Sequence, residues 1–167
     1  MTGSMATHKQ LFLKMALDAW RTQVDRTNKL VNSLSDEELQ REVAPSRNTG
    51  VYLLGHLTAI HDALFSLMRF GERRYTAYDE IFVDSPDNSG LTKPSPNELR
   101  TAWNDVNEKL DTYFDELTEE EWFERHAAIS ETDFEKEPHR NRLNVVLNRT
   151  SHLANHLGQL TFLKPRA

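Results

Sequence analysis

The sequence predicts an all-α fold, a four-helix bundle with short extra helical turns in the connections. Three observations lead to this prediction: apolar residues recur at helical intervals along four long segments, capping signatures precede some of them, and strands have little support. At 167 residues the chain is about one domain long and can bury a hydrophobic core. We expect a single domain over residues 5–167, preceded by a vector-derived leader at residues 1–4.

The first predicted helix extends from His8 to Ser33. Residues recur on it at helical intervals, and the set is Leu11, Met15, Trp20, Val24, Thr27 and Val31. Directly after it, the segment Ser35-Asp36-Glu37-Glu38 has the spacing of a capping box. This segment predicts a short helical turn before a loop over residues 45–50.

The second predicted helix extends from Thr49 to Phe70, and Gly71 is expected to end it. Residues 71–94 then form the longest stretch without helical periodicity, and they include two prolines. Connections of this length are often functional, so we expect this one to help form a pocket.

Two further helices complete the predicted bundle. In Ser95-Pro96-Asn97-Glu98 the Ser is a cap and the Pro takes the first helical position, so a third helix is expected from there to about Glu116. The segment Thr118-Glu119-Glu120-Glu121 repeats the capping signal and predicts another short turn. The last helix is expected from about Asn141 to Lys164, with Pro165 closing it.

Composition excludes several classes of function. The formal net charge is -6 and the positive charges are dispersed along the chain, which argues against a nucleic-acid or anionic-membrane partner. No apolar run approaches the roughly 20 residues that a membrane span needs, and we expect a cytoplasmic protein. The absence of cysteine removes disulfides, thiolate ligands and a cysteine nucleophile, so any thiol would come from a substrate.

A histidine pair near the C-terminus is the most informative motif. His152 and His156 are four residues apart, which places both imidazoles on one face of a helix, one turn apart. His56 lies in the apolar run of the second helix, at the centre of its predicted buried stripe. These three residues are either isolated core histidines with hydrogen-bond partners or the ligands of one metal ion. Because three buried imidazoles without a nearby carboxylate are costly to leave unsatisfied, we favour the metal site.

Three histidines suit Zn, Ni, Cu or Fe and leave at least one coordination position for water or substrate. Di-iron bundles instead use Glu-x-x-His on two helices, and neither histidine-bearing helix contains it. The zincin motif His-Glu-x-x-His is also absent, because Leu153 follows His152. The sequence therefore predicts an open three-histidine site outside these two classes.

The other polar candidates have weaker support. His61 lies about 140° around the helix from His56, so we expect a peripheral packing or surface residue. The remaining histidines are expected at the surface, and they are His8, His126 and His139, the last of which could lie at the mouth of the site. Three residues border the histidine pair and either orient a ligand or are solvated, namely Asn148, Arg149 and Gln159.

The internal Gly-His-Leu at His56, together with the late His-x-x-x-His-Leu-Gly-Gln-Leu from His152, resembles the DinB/YfiT family of metalloenzymes. The resemblance implies a four-helix bundle with a metal site at His56, His152 and His156, commonly a dimer, with Ni or Zn as the metal. Some relatives are thiol-dependent S-transferases or isomerases that use low-molecular-weight bacterial thiols. Asn155 and Leu157 stand where many members have His and Arg, which makes the substrate less certain than the ligands.

We therefore expect a metal-dependent enzyme that acts on a small-molecule substrate, with a low-molecular-weight-thiol S-transferase favoured over a metal-dependent hydrolase. The alternative is a metal-stabilised structural or binding protein without turnover. A homodimer is also expected, partly from the resemblance and partly because Phe162 lies opposite the main apolar stripe of the last helix.

Overall fold

The structure is a computed structural model that describes residues 7–164. The α-helices of this range are α1 (His8–Ser33), α2 (Asp36–Leu39), α3 (Gly50–Leu67), α4 (Tyr78–Phe82), α5 (Pro96–Glu116), α6 (Glu119–Trp122), α7 (Glu131–Lys136) and α8 (Arg142–Leu160). A short 3-10 turn, Thr161–Leu163, follows α8. The expected leader at residues 1–4 and the closing Pro165 lie outside the described residues.

The long helices α1, α3, α5 and α8 form the predicted bundle. Arg100, in the first turns of α5, donates to the carbonyl oxygens of Val31 and Leu34 at the end of α1. Gly50, which begins α3, lies against Leu163 just after α8. The end of α1, the starts of α3 and α5 and the end of α8 therefore meet at one end of the bundle. The resulting order is up, down, down, up, and the connection over residues 68–95 must return along the whole bundle.

The core fills the space between the four long helices. Three tryptophans from different helices are almost completely buried, and they are Trp20, Trp103 and Trp122. The first turns of α1 differ from the prediction, since Leu11 and Met15 are 46% and 68% exposed while Leu13 and Ala16 are buried. The apolar stripe on α1 is therefore shifted around the helix in its first turns.

The end of α3 corrects the prediction that Gly71 terminates it after Phe70. The helix ends at Leu67, and Arg69 adopts the left-handed conformation with φ 62°. The amide of Phe70 then donates to the carbonyl oxygen of Phe65 over 2.7 Å, the outer hydrogen bond of a Schellman motif. An arginine takes the conformation that usually favours glycine, which the sequence pattern could not reveal.

The long crossover is ordered by buried polar and aromatic contacts. Asp62, fully buried on α3, accepts hydrogen bonds from the backbone amides of Arg74 and Tyr75. The predicted aperiodic stretch over residues 71–94 also contains α4, and Phe82 at its end is fully buried. A Cβ atom at Gly55 would lie within 2.4 Å of the Phe82 ring, so this close approach requires glycine.

The connection before α8 contains α7, a short helix that the sequence did not predict, and none of its residues is buried. The last helix begins one residue after its cap Asn141 and ends at Leu160, four residues before the predicted end. The bounds of the first helix and the Ser95 cap of α5 are confirmed. Between residues 7 and 164, no helix is both long and apolar enough to cross a membrane.

Candidate metal centre

The structure brings the three predicted histidines together, although they come from two antiparallel helices. Nε2 of His152 lies 3.2 Å from Nε2 of His56 and 3.1 Å from Nε2 of His156. One ring nitrogen from each of the three histidines lies within 4.8 Å of the other two, a spacing that fits a single metal ion. All three side chains are only half-buried, whereas His56 was expected at the centre of a buried stripe.

The hydrogen bonds made by Nδ1 of His56 and of His156 determine which ring nitrogen of each residue is unprotonated. Nδ1 of His56 lies 2.8 Å from the backbone carbonyl oxygen of Phe82, and Nδ1 of His156 lies 2.8 Å from Oε1 of Gln159. Both oxygens can only accept, so each Nδ1 carries its proton and each Nε2 presents a lone pair. Metal-binding histidines are commonly held in this way.

Nε2 of His152 lies within about 3 Å of both of these lone pairs. In the metal-free protein, a proton on Nε2 of His152 can bridge toward the bare nitrogens of His56 and His156. When a metal ion replaces this proton, the proton of His152 must lie on Nδ1, which is buried and has no partner among residues 7–164. The donor set therefore fits a transition metal, and one buried Nδ1–H group remains without an acceptor.

The surroundings of His56 and His152 favour their neutral forms. Burial, together with the neighbouring imidazoles of His156 and His56 and the guanidinium of Arg149, lowers the pKa of His152 to about 4. Burial also lowers the pKa of His56 despite its bond to the Phe82 carbonyl. Because a protonated imidazole cannot bind a metal, these lowered pKa values favour ligation at neutral pH.

The prediction that His61 is peripheral is wrong. His61 is completely buried, and its ring lies between those of Trp20 and Trp103, with centroid distances of 4.7 and 4.8 Å. Its Nδ1 donates to Oδ1 of Asn107 over 2.8 Å, while Nε2 is a buried lone pair without a partner in the described residues. His61 does lie on a different face of α3 from His56. Because nearly the whole circumference of α3 is packed against other elements, that face is buried as well.

The other polar residues considered in the sequence differ in burial and in hydrogen bonding. Gln159 supports His156, Asn148 is exposed, and Arg149 is half-buried with no partner among residues 7–164 for its buried Nε. The surface prediction holds for two histidines, His8 and His139, and the third, His126, is half-buried. His139 precedes the first residue of α8, which lies roughly 15 Å along the helix axis from His152.

The role of the Phe82 carbonyl oxygen could not be predicted, because any residue at position 82 has a backbone carbonyl. The available signal was Gly55, immediately before His56, which lets Phe82 approach α3 closely enough for its carbonyl to reach the imidazole. Tyr52, one turn earlier, also stacks on the His56 ring at a centroid distance of 6.4 Å. Local packing thus orients His56 from two sides.

Comparisons with known proteins agree with this architecture. Residues 19–160, which include all three histidines, match the family model of the DinB superfamily. A crystal structure of a conserved protein from Enterococcus faecalis is similar in fold, with a TM-score of 0.61 and 15% sequence identity. The similarity covers 90% of this chain and 93% of that chain. No curated protein matches the sequence.

Proposed function

Because the chain belongs to the DinB superfamily, we propose that His56, His152 and His156 bind one divalent transition metal ion, with Ni or Zn expected. We propose that this centre serves a low-molecular-weight-thiol S-transferase. In such a reaction the thiol loses its proton to solvent, the sulfur bonds to an electrophilic carbon, and the leaving group departs with the electron pair of the broken bond.

One observation carries the metal proposal. Two imidazoles donate Nδ1–H to oxygens that can only accept, and both direct a bare Nε2 at a third imidazole about 3 Å away. Nothing in packing alone requires three ring nitrogens to converge in this way, whereas one cation satisfies all three.

Two features support a thiol substrate. Three neutral nitrogen ligands leave coordination positions open, and the half-buried rings leave an approach from solvent. A divalent metal bound there lowers the pKa of a thiol or water that reaches it. The chain itself has no cysteine, so the thiol must arrive with the substrate.

Cobalt substitution tests this proposal. Addition of glutathione, cysteine or mercaptoethanol to the Co(II) protein should change the visible spectrum and add a sulfur-to-cobalt charge-transfer band. The thiols that bind should then be conjugated to monochlorobimane by the Ni or Zn protein, but not by the His156→Ala variant. If azide alone changes the spectrum, the hydrolase is favoured, and if neither azide nor thiols do, the centre is closed and structural.

We also propose that the protein is a cytoplasmic homodimer. Phe162 is 74% exposed just after α8, beside a surface depression that is lined by Val43 and by polar side chains such as Arg47 and Asn48. A second copy would cover the exposed ring of Phe162. Light scattering of the wild type and of Phe162→Ser should give a dimer and a weakened dimer, respectively, whereas a monomeric wild type would refute this.

A further inference from the structure

Arg149 occupies an unusual position for an arginine. It lies on the core-facing stripe of α8, one turn before His152, and its neighbours on that stripe, Val146 and Leu153, are fully buried. Nε of Arg149 is buried without a hydrogen-bond partner among residues 7–164, while its terminal nitrogens are not buried. The cation is therefore held in the interior but reached by solvent at its tip.

Every other arginine that is at least partly buried in the described chain has an oxygen partner. Carboxylates or backbone carbonyls accept from each of them, and the six are Arg21, Arg73, Arg100, Arg125, Arg140 and Arg142. Each of these six guanidinium groups therefore has at least one oxygen acceptor, although Nε of Arg142 is also buried without one. Arg149 has no acceptor at all among residues 7–164, which makes its guanidinium a candidate to bind a ligand.

The charge around Arg149 is uncompensated. Arg149 lowers the pKa values of His56, His61 and His152, so it lies within electrostatic range of the histidine cluster. No carboxylate in residues 7–164 contributes to the pKa shifts of these histidines or of Arg149 itself. Neutral imidazoles would leave the charge of a divalent ion intact, and Arg149 adds another positive charge beside it. In a protein with net charge -6, the metal-loaded site would therefore be strongly positive.

We propose that Arg149 binds a carboxylate group of the substrate, next to the three-histidine centre. This inference rests on the proposed function, and it names the substrate as a thiol or its reaction partner that carries a carboxylate. The planar guanidinium matches a carboxylate with two parallel hydrogen bonds. In the metal-free protein, the single charge of the Arg149 guanidinium matches a carboxylate but only half of the charge of a phosphate dianion.

A matched pair of thiols tests the proposal. Calorimetry should show that mercaptopropionate binds the Zn-loaded wild type at least about tenfold more tightly than neutral mercaptopropanol. The preference should vanish in Arg149→Met and be partly kept in Arg149→Lys, which preserves the charge. Arg26→Met removes an exposed arginine and should behave as the wild type. Equal binding of the two thiols by the wild type, or a preference that survives in Arg149→Met, would overturn the proposal.

A second experiment distinguishes failure of the carboxylate site at Arg149 from failure of the metal centre. In metal-free protein labelled with ¹⁵N-arginine, the Nε–H signal absent from Arg149→Lys identifies Arg149. Titration with acetate should shift this signal to saturation while the Arg26 signal stays still. If the protein takes up no metal but this shift occurs, the metal centre fails and the anion site stands. If metal binds and the signal does not move, the anion site is refuted alone.

Discussion

The metal-free protein should become less stable in mild acid, because His61 takes up a proton in the unfolded chain and stays neutral in the folded one. Complete burial between Trp20 and Trp103 lowers the pKa of His61 from 6.5 to about 3. The unfolded chain therefore takes up this proton at a higher pH than the folded chain, so unfolding binds protons between 6.5 and about 3. Stability linked to His61 is fully present above pH 6.5 and falls as the pH decreases through this window.

The size of the effect follows from the two pKa values. Between neutral pH and about pH 5, His61 should contribute a loss of about 2 kcal/mol, and the full difference corresponds to at most about 5 kcal/mol. Urea unfolding of EDTA-treated wild type and His61→Gln measures it, because the glutamine amide can still donate to Asn107 without titrating. The wild type should lose about 2 kcal/mol more than the variant over this range. Parallel losses in both proteins would refute the assigned role of His61.

Three further results are expected. Gln159→Leu removes the acceptor of His156 Nδ1–H and should weaken metal binding about tenfold to a hundredfold in a competition assay with a chromogenic chelator. Gly55→Ala forces a methyl group into the Phe82 ring, so the free energy of unfolding should fall by about 1–3 kcal/mol, and metal affinity should fall as the carbonyl that holds His56 moves. Chelation of the metal-loaded wild type should lower Tm but leave a folded bundle. If the free metal was at about 100 times its Kd, its removal should lower the free energy of unfolding by about 2.7 kcal/mol.

Matched controls exist for the two substitutions. Gly158→Ala introduces the same methyl group on α8 where no atom lies within 4 Å, so stability and metal affinity should not fall. Asn148→Ala removes an exposed amide near the histidine pair and should leave metal affinity unchanged. Equal losses in variant and control would show that the effect is not local to the centre. Complete unfolding on chelation would show that the metal is chiefly structural.

Periodicity and capping chemistry predicted the fold class because they depend on local sequence. The capping boxes at Ser35, Ser95 and Thr118 all form, and both bounds of α1 are as predicted. The spacing of His152 and His156 placed them on one face for the same reason. Their meeting with His56 depends on how α3 and α8 pack against each other. The family resemblance implied a shared site, and periodicity alone could not predict the packing.

The errors concern properties that tertiary packing decides. His61 is buried because other elements pack around α3 on nearly all sides. The angle between His61 and His56 on the helix does not predict how many elements pack around that helix. The end of α3 at Arg69 depends on a backbone conformation that arginine seldom adopts. Arg149 was expected either to orient a ligand or to be solvated, and its place one turn before His152 puts it on the inner stripe of α8. The angular position of Arg149 could have been found from the sequence, but not its lack of a carboxylate partner.

Metal content per chain shows directly whether His56, His152 and His156 bind one ion. Wild type, His56→Ala, His152→Ala and His156→Ala are loaded with Zn or Ni, desalted and analysed by elemental mass spectrometry, and His139→Ala serves as the exposed-histidine control. We expect one metal ion per chain in the wild type and the control, and a large loss of metal in each of the three variants. Full metal content in all three variants, or none in the wild type, would contradict it.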